Sequence, residues 1–182
     1  LHSHPELSNE EIRTAGVLSE KLRQLGFEVH EKVGGTGVVG ILRNGPGPTV
    51  LIRTDMDALP VTEKTGLPYE SKVQVRRPDG QIVGVMHACG HDIHMTCWVG
   101  VAHALSSMKD QWSGTLLFIG QPAEEVGMGA KQMLDAGLFE KFPKPDVGLA
   151  LHCEPFTPHG VIGYVEGYAL ANVDSVDIIV HG

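Results

Sequence analysis

At 182 residues, 42% hydrophobic and 20% charged, the chain has the length and composition of one well-buried globular domain and not of a disordered segment. A net charge of -8 without any Lys/Arg stripe excludes a nucleic-acid surface, and no apolar run approaches the ~20 residues needed to span a bilayer. The three cysteines, Cys89, Cys97 and Cys153, are odd in number and form no CxxC. A disulfide framework is therefore not expected, and a reducing compartment, the cytoplasm, is.

In chain order, His2 and His4 precede a helix start and are read as structural or supporting groups. Ser8 with Glu11 predicts a capping box, and Leu7 with Ile12 a hydrophobic staple. Ile12, Ala15, Leu18, Leu22 and Leu25 form one apolar helical face that stops at Gly26. Phe27 to Val33 alternates like a strand. Gly34 to Gly37 lacks both the GxGxxG spacing and the lysine of a phosphate loop, so it reads as a turn. Val38–Leu42 and Thr49–Arg53 are the next strands, the second apolar enough to be covered on both faces of an α/β sheet.

That strand delivers Asp55 and Asp57 at its C-terminal end, where open α/β folds gather ligand groups. Two acids one residue apart point the same way in extended chain, and one of them can hold a ligand histidine in its tautomer. A solvated acidic turn is the plain alternative. Residues 61–85 read as a long loop or a strand pair.

Met86 to His94 packs three histidines, a cysteine and an aspartate into nine residues. Cys89 and His91 bracket Gly90, so a tight backbone can turn a thiolate and an imidazole toward one point, a pairing that suits zinc, manganese or a related divalent metal. The N-terminus of the helix that follows is expected to favour the thiolate. A buried structural cysteine beside surface histidines is the competing reading. From Asp92 to Met108 the pattern is helical, with Ile93, Cys97, Val101, Ala104, Leu105 and Met108 on the apolar side. Cys97 is thereby expected as a packed thiol, His103 as a surface residue, and Trp98 and Trp112 as packing residues.

Thr115–Gly120 is a buried strand running into Glu124 and Glu125. Neighbouring side chains diverge, so one glutamate can bind a metal while the other faces its water. Gly127–Ala136 predicts a short helix, and Asp146–Leu151 a further strand ending at His152. His152 completes a candidate set of Cys89, His91, Glu125 and His152, while Cys153 is expected to point away from it if the strand continues. His159 lies in a Pro/Gly loop and reads as surface. Residues 173–180 alternate like a strand that breaks off at His181-Gly182, as expected of a chain cut inside a larger protein.

Five motifs in this order resemble the M20 metallopeptidase family, in its amidohydrolase branch. They are Leu1-His2-x-His4-Pro5-Glu6-Leu7-Ser8, Arg53 to Pro60, His87 to Asp92, Gln121 to Glu125, and Leu151-His152. The resemblance implies Cys89, His91, Glu125 and His152 as metal ligands, Glu124 as general base and Asp57 as a supporting acid. It implies one or two divalent ions, manganese or zinc before cobalt or nickel. It also implies a zinc-exopeptidase-like α/β catalytic domain with helices on both faces of the sheet, its first segment spanning residues 1–168. A lid and dimerisation domain would begin over 169–182, in a full-length homodimer or homotetramer. His94 matches a histidine of the branch, with Ile93 in place of its usual glycine. Cys-Glu-Pro follows His152 where an aromatic is common.

The function implied is hydrolysis of the amide bond in a small N-acyl amino acid, without nucleic-acid or membrane partners. A cysteine hydrolase with Cys89 as nucleophile and His91 as base leaves the glutamate pair and His152 idle. Zinc deaminases are excluded by the missing P-C-x-x-C element. A catalytically silent relative that binds acylated amino acids, or serves in assembly, is the alternative from another class.

Overall fold

Alternation along two strands sets the layers of the fold. The computed structural model describes residues 1–77, 80–168, 176 and 178–180. In β2 (Val38–Asn44) and β6 (Gly114–Gln121), Val38, Leu42, Leu116 and Phe118 pack into one core, and Val39, Ile41, Leu117 and Ile119 into another. A strand apolar on both faces needs cover on both. The first face lies under α1 (Ile12–Gln24) and α2 (His91–Ser107), through Leu18, Leu22, Met95, Trp98 and Ala102. The second is covered by α3 (Gly129–Asp135) and α4 (Leu138–Lys141), through Met133 and Leu138. The expected α/β sheet with helices on both faces is what forms.

Among the described residues the sheet has five strands in the order β1-β2-β6-β3-β7, with β1 at Glu28–His30, β3 at Thr49–Asp55 and β7 at Val147–Ala150. β3 is parallel to both β6 and β7, while β2 is antiparallel to β1 and β6. Asp55 pairs with Gln121 and Arg53 with Ala150, so three parallel strands release their chains at one edge of the sheet. A short hairpin of β4 (Gln74–Arg76) and β5 (Ile82–Gly84) occupies the stretch read as a loop or strand pair.

Several expectations are corrected. The Ser8–Glu11 capping box does not form, because both side chains are drawn into the interior. Ser8 Oγ donates to Asp57, and Glu11, fully buried, accepts from the backbone N–H groups of Asn9 and Ala123. The Glu6 carboxylate instead accepts from the Arg13 and Thr14 amides, satisfying first-turn donors and placing negative charge at the positive end of α1. Ile12 is 76% exposed, so it forms no staple. On α2 the buried face is His91, His94, Met95, Trp98 and Ala102, while Ile93 is 52% exposed and Cys97 is exposed. The helix is apolar nearly all round, so periodicity alone does not choose a face. Trp98, whose Nε1 donates to the Ile52 carbonyl, makes the choice. The strand expected over 173–180 and the lid expected from 169 lie, but for residues 176 and 178–180, outside the described residues.

Candidate metal centre

The three parallel strand ends and the start of α2 meet at the C-terminal edge of the sheet, the usual place for ligand groups in such folds. β3 supplies Asp55 and, just past its end, Asp57. The turn after β6 supplies Glu124 and Glu125. The residues after β7 supply His152 and Cys153. The turn before α2 supplies Cys89, and the helix itself His91 and His94.

His91 is the hub. Its Nδ1–H donates to the Asp57 carbonyl at 2.8 Å, which leaves the Nε2 lone pair facing the carboxylates. Asp55 Oδ2 stands 3.6 Å from that nitrogen, Glu124 Oε2 3.7 Å and Glu125 Oε1 3.6 Å. Asp57 is fixed by Ser8 Oγ at 2.6 Å and by the Glu125 N–H at 3.0 Å. On the other side, Cys89 Sγ lies 3.4 Å from His152 Nε2. Ligand atoms of Cys89, His91 and His152 fall within 4.8 Å of one another, as do those of His91, Glu124 and Glu125.

All six predicted site residues are thus brought together. The expected divergence of the glutamates is corrected, because the chain leaves β6 at Gln121 and turns, so both carboxylates reach the same imidazole nitrogen. Cys153 is also corrected. β7 ends at Ala150, its alternation does not continue, and Cys153 Sγ lies 3.6 Å from the Cys89 carbonyl.

Charge is crowded here. Burial pushes the Cys89 thiol up, to about 12, and the carboxylates of Glu125, Glu124 and Asp55 push the same way. Burial works against a charged His91, yet Asp57, Asp55 and Glu125 raise its pKa above the ordinary value. Burial likewise opposes ionisation of Asp57, but His91, Ser8 and the Glu125 and Glu124 amides bring it down to about 2. Burial raises Glu125, against His91 and with Glu124 and Asp57.

A divalent cation fits this donor set. Among the described residues, His91 Nε2 and Glu125 Oε1 are buried polar atoms without a hydrogen-bond partner, 3.6 Å apart. Sulfur, imidazole and carboxylate donors together are those of a transition-metal site. Beside them an open cleft of about 460 Å3 is lined by His87, Cys89, Gly90, His152, Cys153 and Pro155.

Residue reading missed Arg53, which binds Gln121 Oε1 and Asp55 Oδ2. It also assigned no role to His94, whose spacing of three from His91 on one helix face was the available signal. His2 has the structural role expected, with Nδ1 2.7 Å from Asp92 and Nε2 3.0 Å from Glu63. His4, His103 and His159 are exposed.

The sequence profile of peptidase family M20/M25/M40 matches residues 51–179. Thermostable carboxypeptidase 1 of Saccharolobus solfataricus is 45% identical, with all of this chain aligned to 44% of that protein. Hippurate hydrolase of Campylobacter jejuni is 42% identical, again over the whole chain and 45% of the relative. Among solved structures, a dinuclear metal-binding peptidase of Bacillus subtilis superimposes with a TM-score of 0.75 at 37% identity, over 87% of this chain and 41% of that one. The chain therefore spans less than half the length of the relatives it matches.

Proposed function

This chain belongs to peptidase family M20/M25/M40, and from that premise we propose that the whole protein is a metal-dependent amidohydrolase acting on N-acyl amino acids or related small conjugates. The observation that carries this reading is the convergence of Glu124 and Glu125 on the unpartnered Nε2 of His91, with Cys89 and His152 alongside. The similarity to a hippurate hydrolase and to a dinuclear metal-binding peptidase supports it.

In this proposal Cys89, His91, Glu125 and His152 hold one or two divalent ions, manganese or zinc first, cobalt or nickel next. The bound metal polarises the scissile carbonyl and acidifies water. Asp57, tied down by Ser8 and the Glu125 amide, helps hold His91 with its Nε2 lone pair toward the donors. Glu124, with 40% of its side chain exposed against 16% for Glu125, faces the solvent side. There it accepts the proton of the attacking water on a carboxylate oxygen and returns it to the departing amine, a service typically worth about 10²–10⁴-fold. The cleft has the size of a small-molecule site. The lid from residue 169 onward, homodimeric or homotetrameric assembly and a cytoplasmic setting belong to the same proposal.

Replacing Glu124 tests the assignment. In the full-length protein Glu124→Gln is expected to keep its metal content and lose about 10²–10⁴-fold in kcat. Turnover at the parent rate with metal in place would remove Glu124 from the role.

A further inference from the structure

The segment carrying His152 follows β7, which among the described residues pairs with β3. Two buried groups reach that segment. His94 and Asp55 are each 1% exposed at the side chain, with Nδ1 and Oδ1 2.7 Å apart. On the opposite side of the ring, the Cys153 backbone N–H lies 2.9 Å from His94 Nε2.

An amide N–H can only donate, so Nε2 must accept. The ring proton therefore sits on Nδ1 and is donated to the Asp55 carboxylate. Asp55 is itself held by Arg53 at 2.9 Å. The His94 and His152 rings stand edge to face, 4.4 Å between centroids. The same segment comes close enough to Gly90 that a Cβ there would lie 2.4 Å from Cys153 Sγ.

We propose that His94 is a positioning residue and not a metal ligand: the chain Arg53–Asp55–His94–Cys153 N–H tethers the segment after β7 to α2 and so presents His152 to the metal centre. This rests on the reading above that His152 is a ligand. His94 Nε2 is already engaged by the amide, whereas His91 Nε2 has no hydrogen-bond partner among the described residues. A ligand role would demand that His94 give up the tether. Gln at position 94 can offer a carbonyl acceptor in place of Nε2, whereas Ala cannot.

The test uses full-length protein and cobalt(II), whose absorption reports a thiolate-containing site, with His94→Ala, His94→Gln and His152→Ala compared. The tether predicts that His94→Ala loses about 10–100-fold in cobalt affinity, with kcat falling more than KM rises, and that His94→Gln stays within a few-fold of the parent. Parent-like affinity in His94→Ala, with His152→Ala impaired, overturns the tether alone. Equal losses in His94→Ala and His94→Gln overturn it too, because they mark His94 as a ligand. Parent-like affinity in His152→Ala removes the ligand reading and the tether with it. Should His94→Ala not fold, nitrogen-15 spectra of the zinc-loaded parent decide: a protonated Nδ1 with a free, unmetallated Nε2 supports the tether, and any other state of that ring overturns it.

Discussion

At Gly90 the backbone takes a φ of 78°, and an added Cβ would lie 2.4 Å from Cys153 Sγ. Either fact alone disfavours a side chain. Together they predict that Gly90→Ala costs about 1–2 kcal/mol in stability and displaces the His152–Cys153 segment. Its metal affinity should fall more steeply than that stability loss explains, which paired metal titrations and denaturant melts will measure. Asp57 carries a pH prediction. Its folded pKa is about 2 against an ordinary 3.8. A depressed carboxylate contributes stability that is full above 3.8 and is lost as pH falls through about 2. The contribution is about 2 kcal/mol. In the metal-free protein, Asp57→Asn should lower the denaturant midpoint at pH 5 to 7 and flatten its acid limb; an unchanged acid limb would contradict the assignment.

Among the elements, α1 and β2 depend on one another through close approach. Leu18 and Leu22 are fully buried, and Gly40 on β2 leaves only the room that Leu22 fills, since a Cβ there would meet Leu22 Cδ1 at 2.4 Å. Leu18→Ala should therefore cost about 2–5 kcal/mol, read from a shifted denaturation midpoint at unchanged slope. A cost below 1 kcal/mol would mean that the helix repacks. The α1 face was legible from its threes-and-fours spacing, apart from Ile12. The buried face of α2 was not, because a helix with apolar residues on every side has no single stripe and only the sheet beneath it selects one. The capping box failed for a related reason. Ser8 and Glu11 have the right spacing, but the buried demands of Asp57 and Ala123 compete for the same oxygens.

For the molecule as a whole, the candidate metal centre joins strand ends far apart in sequence, Asp55 with Gln121 and Arg53 with Ala150 in register. A ligand that binds only this assembled arrangement stabilises the fold by mass action, about 2.7 kcal/mol at a hundredfold excess over Kd. Full-length protein should thus melt at a lower temperature in EDTA and recover with manganese or zinc, while Cys89→Ser should respond weakly to either. A melting temperature indifferent to chelator in the parent would argue against a metal held by these residues. Among the described residues no helix is long and apolar enough to cross a membrane, and Cys89, Cys97 and Cys153 are free thiols.

The sequence by itself determined most of the strands and helices in their order and the sheet covered on both faces, and it marked the acidic, histidine and cysteine clusters at strand ends; the choice of the six candidate site residues came with the family resemblance. The element readings rest on local information: alternation and helical spacing. Only the tertiary structure decided which way those side chains aim. Glu124 and Glu125 converge because the chain turns after Gln121, and Cys153 enters the site because β7 stops at Ala150. Its packing also put Ser8 and Glu11 to internal use, and made His94 the bridge between Asp55 and the Cys153 amide. Periodicity extrapolates a strand past its end, whereas the end itself is set by pairing with neighbours that lie scores of residues away.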